Sequence, residues 1–527
     1  MTKKWLETRR SYLDKLKSQV ELMSGPEDPS ITEYSFSNKA LYKRVWSNAE
    51  EGSFVERALK SSLVLCGDFH SSPSVKRFYT RFFENLVGKT KRPICVALEC
   101  FNVDQQENLE LWLKGSLSDS SFLERSKWKE SWGFGWESYK SLLTALHDLG
   151  IELQCINNQE QDFHLRDTKI AESLVGLCER KDKMKGETPL VFCLIGQHHL
   201  GPENLMDKVK LLSKDLNPLC LHLDPEDLYF DVWHLTLLDD VLVLNYEDHF
   251  AFFSSPPWVH WQSHLLFLEE YLDVFEEEHD HHSDLSRARD YDLVIYDYIK
   301  LLCKDLAIDL NNFKRVEVSS IDEYQIQGDF NDEQLYQTLE PFIDSETSFY
   351  WPEQNEGIMV VSSLNHAASV AGRSLHAQLM GVEKLPWGEL DSFKVWSWLE
   401  AVGYFLSKFI NPRRTPVATH NLGAFLKARL GEESSKKIMT FLVKSRVEEI
   451  KGEPQATKNE QMDWNELIYA ARLKGSLVGE CLFELYLEGR FEVETVKTYM
   501  SLPVTDKNYF EPLYDFVVGR LNLSLNS

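Results

Sequence analysis

The first half of this sequence predicts an α/β fold, a parallel β-sheet flanked by helices, and the second half a mainly helical region. Two observations carry this reading. Short apolar runs rich in β-formers, SLVLCG (62–67), PICVAL (93–98), IELQCIN (151–157) and PLVFCLIG (189–196), alternate with segments of helical spacing. Strands buried on both faces read as such runs. Beyond residue 250 that rhythm stops, and helical patterns separated by Gly and Pro take over.

Taken in order, residues 1–24 read as an amphipathic helix, GPEDPS (25–30) as a breaker and 37–60 as helix again. Between the strands, 73–88, 103–114, 136–149 and 165–182 have helical spacing, and LCLHL (219–223) and VLVLNY (241–246) extend the sheet. In the second half 286–306, 333–343, 363–380, 391–409, 421–429, 434–450, 463–488 and 493–501 read as helices. FKRVEV (313–318) and IMVVSS (358–363) read as strands, and 451–460 as an exposed loop. The expected organisation is a helical extension (1–44), an α/β domain (45–250) and a helical region (251–527).

Composition narrows the function. A chain of 527 residues with 43% hydrophobic residues is long enough for two or three cores. The net charge of −26 argues against nucleic acid and anionic lipid as partners. The opening MTKKWLETRR lacks the apolar core of a secretory signal, and no run approaches the roughly 20 apolar residues of a membrane span. Nine cysteines, several inside apolar runs and none in a C-x-x-C pair, read as buried thiols of a reducing compartment. The expectation is a cytoplasmic protein without a transmembrane segment, with a homodimer possible.

In open parallel sheets, ligands bind beyond the carboxyl ends of the strands. Here four strand ends deliver polar groups: Gly67-Asp68-Phe69-His70, Leu98-Glu99-Cys100-Phe101, Asn157-Asn158-Gln159 and Gly196-Gln197-His198-His199. In the two G-x-x-H units, glycine is expected to let the chain turn sharply as it leaves the strand, bringing the histidine over the sheet edge. His70, Glu99 and His199 could then hold a divalent metal, or act as acid and base without one. Asp68 and Glu99 could share a proton.

This layout resembles the ChaN-type haem-binding domain of the Tiki superfamily over about residues 45–250. The resemblance rests on GDFH (67–70), LECF (98–101) followed by Gln105, Trp132 and Tyr139, Arg166-Asp167 opening a helix, and the run Gly196 to Leu200. It implies a parallel α/β fold and association with haem or iron. Erythromycin-esterase-like hydrolases and Tiki-type metalloproteases resemble the chain in the same features. By that resemblance His70, Glu99 and His199 form the centre, supported by Asp68, Arg166, Asp167 and His198. Tyr139 and His198 are the candidate haem ligands. The chain departs from the pattern in having Asp68 where relatives more often carry Glu. It also has no further histidine at 74–77.

Three readings follow: a module holding haem or iron; a hydrolase, metal-dependent or using His70 or His199 with Glu99 as general base on an ester or amide; and a degenerate site serving protein interaction. Other signals weigh less. EEEHDHHSD (276–284) could bind a metal but reads more simply as a solvated loop, and His260 and His264, four apart beside Trp258 and Trp261, could be a metal pair or the wall of a haem pocket but read more simply as part of an aromatic core stripe. His366 and His376 share no helix face, and no nucleophile elbow, P-loop or dinucleotide fingerprint occurs.

Overall fold

A computed structural model describes residues 3–25, 29–158, 160, 162–180, 188–237, 242–277, 286–321, 333–416, 422–451, 462–502, 504, 506–519 and 521. The chain divides into two compact units, Ser11–Leu268 and Met1–Arg10 with Glu269–Ser527.

The first unit is built on an eight-stranded sheet. Its strands are β1 (Ser47–Ala49), β2 (Leu63–Asp68), β3 (Ile94–Asn102), β4 (Glu152–Asn157), β5 (Leu190–Gly196), β6 (Leu219–Leu223), β7 (Leu242–Tyr246) and β8 (His249–Phe253). Their spatial order is β1-β7-β8-β6-β2-β5-β3-β4. Six neighbours, β8 to β4, are parallel, while β7 pairs antiparallel with both β8 and β1. The sheet is therefore mixed, not wholly parallel as the sequence suggested. Strand β8, which the sequence pattern did not mark, follows β7 across only Glu247 and Asp248, with Glu247 at φ 52°. A two-residue turn of this kind joins antiparallel strands directly, where a parallel pair would need a crossover helix. The helix expected over 37–60 is interrupted: helices Pro29–Tyr42 and Glu51–Lys60 flank β1.

The period-2 alternation of strand residues assembles two cores. Val64, Cys66, Val96, Leu98, Phe192 and Leu194 point to one face, under helices Glu51–Lys60, Pro73–Val87 and Trp136–Asp148. Leu63, Leu65, Ala97, Val191, Cys193 and Ile195 point to the other, under helices Phe163–Glu179 and Leu205–Leu212. All nine cysteines are free thiols, eight of them buried.

The second unit is mainly helical, with a small sheet of β9 (Glu317–Ser320), β10 (Phe349–Trp351) and β11 (Glu356–Met359) in the order β10-β11-β9. Helix Phe393–Ile410 lies at its centre with every residue buried. Helix Trp464–Leu487 packs on it at backbone distance: a Cβ on Gly475 would lie 2.5 Å from the Ser397 carbonyl, and one on Gly479 2.5 Å from that of Ala401. The helices expected over 421–429 and 434–450 form one run, Leu422–Lys451, broken at Gly431 (φ 80°, ψ 178°). Helix Lys507–Gly519 is an addition to the sequence reading. No helix of the described residues is long and apolar enough to cross a membrane. The His-rich run falls largely in 278–285, outside the described residues.

Candidate functional site

Strand order decides which side chains meet. β5 lies between β2 and β3, so the loop after β5 sits between the ends of the other two. The chain reverses direction across the sheet here, as at the crevices where open α/β sheets bind ligands.

Asp68 closes β2 on the face of helix Pro73–Val87. There the Lys76 ammonium donates to Asp68 Oδ1 at 2.7 Å and to the His70 carbonyl at 2.7 Å. Burial opposes the Asp68 charge, but Lys76 and His70 outweigh it and hold the carboxyl well below the usual range. Two residues on, the His70 ring bonds Asp68 Oδ2 through Nδ1 at 3.0 Å. It crosses the end of β5 to bring Nε2 within 3.7 Å of Glu99 Oε2.

Glu99 lies where β3 shifts register against β4, between Leu98 and Asn102. The Gly196 N–H donates to its Oε2 at 2.7 Å, and His199 Nε2 stands 3.4 Å from its Oε1. His199 Nδ1 in turn bonds Asp167 Oδ1 at 2.5 Å, and Asp167 Oδ2 accepts from the Tyr34 hydroxyl at 2.9 Å. The result is an alternating chain from one face of the sheet to the other: Asp68, His70, Glu99, His199, Asp167.

Its electrostatics follow from that alternation. Burial raises Glu99, but the imidazole of His199 overrides this and holds it at about 2. Burial lowers His199, yet the charges of Glu99 and Asp167 win and lift it to about 9. At neutral pH His199 is an imidazolium between two carboxylates.

The glycines act by size. Gly196 has φ −51° and ψ 136°, ordinary for any residue, which corrects the expectation of a sharp glycine turn. Its missing side chain makes the room: a Cβ there would lie 3.0 Å from His70 Nε2. A Cβ on Gly67 would lie 2.7 Å from Gln197 Oε1.

The remaining predicted residues take varied places. The Tyr139 hydroxyl, buried, bonds Asp68 Oδ2 and the His70 carbonyl, each at 3.3 Å, with Lys76 over its ring. Burial and the Asp68 charge push that phenol far up, so it holds its proton and supports the Asp68–His70 pair. Arg166 lies over the Phe163 ring. His198 is exposed, its carbonyl held by Asn38 and Asn204. Asn157 accepts from the Asn158 N–H, and Gln159 lies outside the described residues.

Sequence reasoning passed over Lys76 and Tyr34, and ranked His260 and His264, on helix Pro257–Glu277, below an aromatic core stripe. The i, i+4 spacing of His260 and His264 was the available signal. His260 is buried and bonds Ser72 Oγ (2.8 Å) and Asp224 Oδ2 (2.9 Å), tying the loop after β2 to the end of β6. His264, half-buried, bonds Ser71 Oγ through Nδ1 at 3.2 Å. Burial and the neighbouring His70 lower it to about 4, so its ring is neutral at pH 7.

Half-buried aromatic rings border the chain of charges. Trp132 and Phe134 lie 4.4 and 5.4 Å from the His70 ring, and Phe267 packs on Phe134 at 4.7 Å. His264 stacks on Phe267 at 5.8 Å, with Trp261 and Phe69 beside it. Beneath Trp132 a small pocket, open at its mouth, is lined by Asp68, His70, Lys76, Tyr79, Cys100 and Tyr139, among others.

A divalent metal does not fit the trio as it stands. Glu99 is engaged on both oxygens, Oε2 by the Gly196 N–H and Oε1 facing His199. Among the described residues no group of three or more His, Cys, Asp or Glu side chains is arranged to hold a metal ion. The rim itself presents half-buried aromatic rings and a neutral imidazole.

Fold and site together define an α/β unit with a histidine–carboxylate centre at the switch point of a mixed sheet. Residues 54–164 match the family model for haem-binding uptake proteins of the Tiki superfamily, ChaN. The chain thus carries a ChaN-like domain, and the matched stretch includes Asp68, His70, Glu99 and Tyr139 but stops short of Asp167 and His199. No curated protein matches the chain. A solved structure titled "Cofacial heme binding to ChaN of Campylobacter jejuni" is similar at 13% identity and a TM-score of 0.28, over 34% of this chain and 88% of that one.

Proposed function

We propose that the α/β unit binds haem on the aromatic rim, with His264 as the iron ligand. The observation that carries this is the placement of a neutral, half-buried imidazole among Phe267, Trp261 and Phe69, beside Trp132 and Phe134. Its Nδ1 is held by Ser71, which leaves Nε2 as the ligating atom, in the manner of a histidine oriented by its other nitrogen. The family description, haem-binding uptake, supports the same ligand. The pocket beneath Trp132 has room for little more than a water molecule, so Trp132, Phe134 and Phe267 on the rim, and not the pocket, would hold the macrocycle. When bound, haem supplies an iron centre for ligand or electron exchange. The protein's part is to stack the ring, hold His264 neutral and fix the Asp68–His70 pair beside it.

Hemin titration with the Soret band as readout tests this. Saturable binding lost in His264→Ala and kept in Tyr139→Phe and His198→Ala supports His264. Loss in Tyr139→Phe or His198→Ala instead transfers the role to that residue. Absence of any saturable shift rejects haem.

A second reading rests on the Asp68–His70 pair. A carboxylate that fixes Nδ1 and leaves Nε2 toward Glu99 is how an acid–base imidazole is oriented. In that reading His70 serves as base on an ester or amide, while the buried His199 imidazolium fixes Glu99. Turnover of a p-nitrophenyl ester that falls about 10²-fold or more in His70→Ala supports it. Turnover equal to that of the variant removes it.

A further inference from the structure

We propose that the helical unit carries a second ligand site, a cavity that takes a small monocarboxylate with an apolar, preferably aromatic, body. This site stands apart from the haem reading and does not depend on it. The cavity encloses about 500 Å³ including its solvent-open mouth. Phe342, Phe349, Tyr350, Trp396, Leu399 and Ile468 form its apolar walls.

The charged residues lining it come from three helices: Arg373 of Leu364–Met380, Glu400 of Phe393–Ile410 and Arg472 of Trp464–Leu487. Arg373 forms an ion pair with Glu400 and donates from Nη1 to the Ser348 carbonyl at 2.8 Å. That pair cancels its own charge. Arg472 Nη1 is buried with no hydrogen-bond partner among the described residues, and Arg373 Nε is in the same state. The lining therefore carries one positive charge in excess, with Glu346 and Arg414 beyond it acting on Arg472 with opposite signs, and it holds buried N–H groups without acceptors.

Both features are costly unless an acceptor arrives. A guanidinium is a planar fork that matches a carboxylate in two parallel bonds. One excess charge balances a monoanion, whereas a phosphate monoester brings about −1.5 to −2 at pH 7. The surrounding rings require the rest of the ligand to be apolar.

The test uses the full-length protein and calorimetric titration with benzoate, hexanoate, benzamide and inorganic phosphate. The expected result is saturable benzoate binding at least tenfold tighter than benzamide or phosphate, with hexanoate intermediate. Arg472→Met abolishes it and Arg472→Lys retains part of it, with circular dichroism confirming that each variant is folded. Equal binding of benzoate and benzamide overturns the proposal without reference to any variant. So does the absence of saturable binding by both carboxylates at millimolar concentration, or benzoate binding that survives in folded Arg472→Met.

Discussion

At the scale of single residues, the strand-edge site is an exercise in charge alternation. Lys76 is buried with Asp68, with side chains 3% and 9% exposed. Removing one member of such a pair leaves the other uncompensated. Lys76→Met is expected to cost about 3–5 kcal/mol, read by denaturant melts, and Lys76→Met with Asp68→Asn is expected to recover much of that. His199 gives a pH signature. Its folded pKa, about 9, lies above that of an unfolded histidine, so its contribution is complete below about pH 6.5 and fades as pH rises through 9. Glu99, held at about 2, contributes fully above about pH 4.5 and loses this as pH falls toward 2. The shared stabilisation is roughly 3 kcal/mol, counted once for the coupled group. Nuclear magnetic resonance titration of the His199 ring checks it: a midpoint near 9, falling in Asp167→Asn, is expected. A midpoint near 6.5 in the wild type removes the argument.

At the scale of elements, what could be read from the sequence depended on whether local pattern or tertiary pairing made the decision. The strand runs at 62–67, 93–98, 151–157 and 189–196 became β2 to β5 because an apolar run buried on both faces has little alternative. The hairpin of β7 and β8 was not legible, since a two-residue turn at Glu247-Asp248 lacks the usual glycine signal. His70, Glu99 and His199 could be named as strand-end groups, but their order in space came from β5 inserting between β2 and β3, which no local pattern encodes. His264 was masked by its aromatic neighbours, whose spacing suits a core stripe equally well. The glycines of the helical unit follow the same division. Gly475 and Gly479 face helix Phe393–Ile410 where a Cβ has no space. Gly479→Val should overpack that contact and cost about 1–3 kcal/mol or more, measured by thermal melting. Gly489, with open space around a Cβ at φ 70°, should lose only the price of a left-handed backbone when changed to Ala, about 1 kcal/mol.

At the scale of the whole molecule, each proposed site draws its residues from one compact unit. The haem rim and charge chain lie within Ser11–Leu268, and the arginine cavity lies within Glu269–Ser527. Coupling between two ligands requires that each bind two states of the protein differently, and it must be reciprocal. Among the described residues, the lining of each site comes from its own unit. Hemin affinity is therefore expected to be unchanged, within about twofold, by saturating benzoate, and benzoate affinity by His264→Ala. Titrating hemin with and without benzoate, then benzoate with and without hemin, measures the coupling twice. A reciprocal change of tenfold or more in both directions would show that the units communicate, and it would require a conformational equilibrium shared between them.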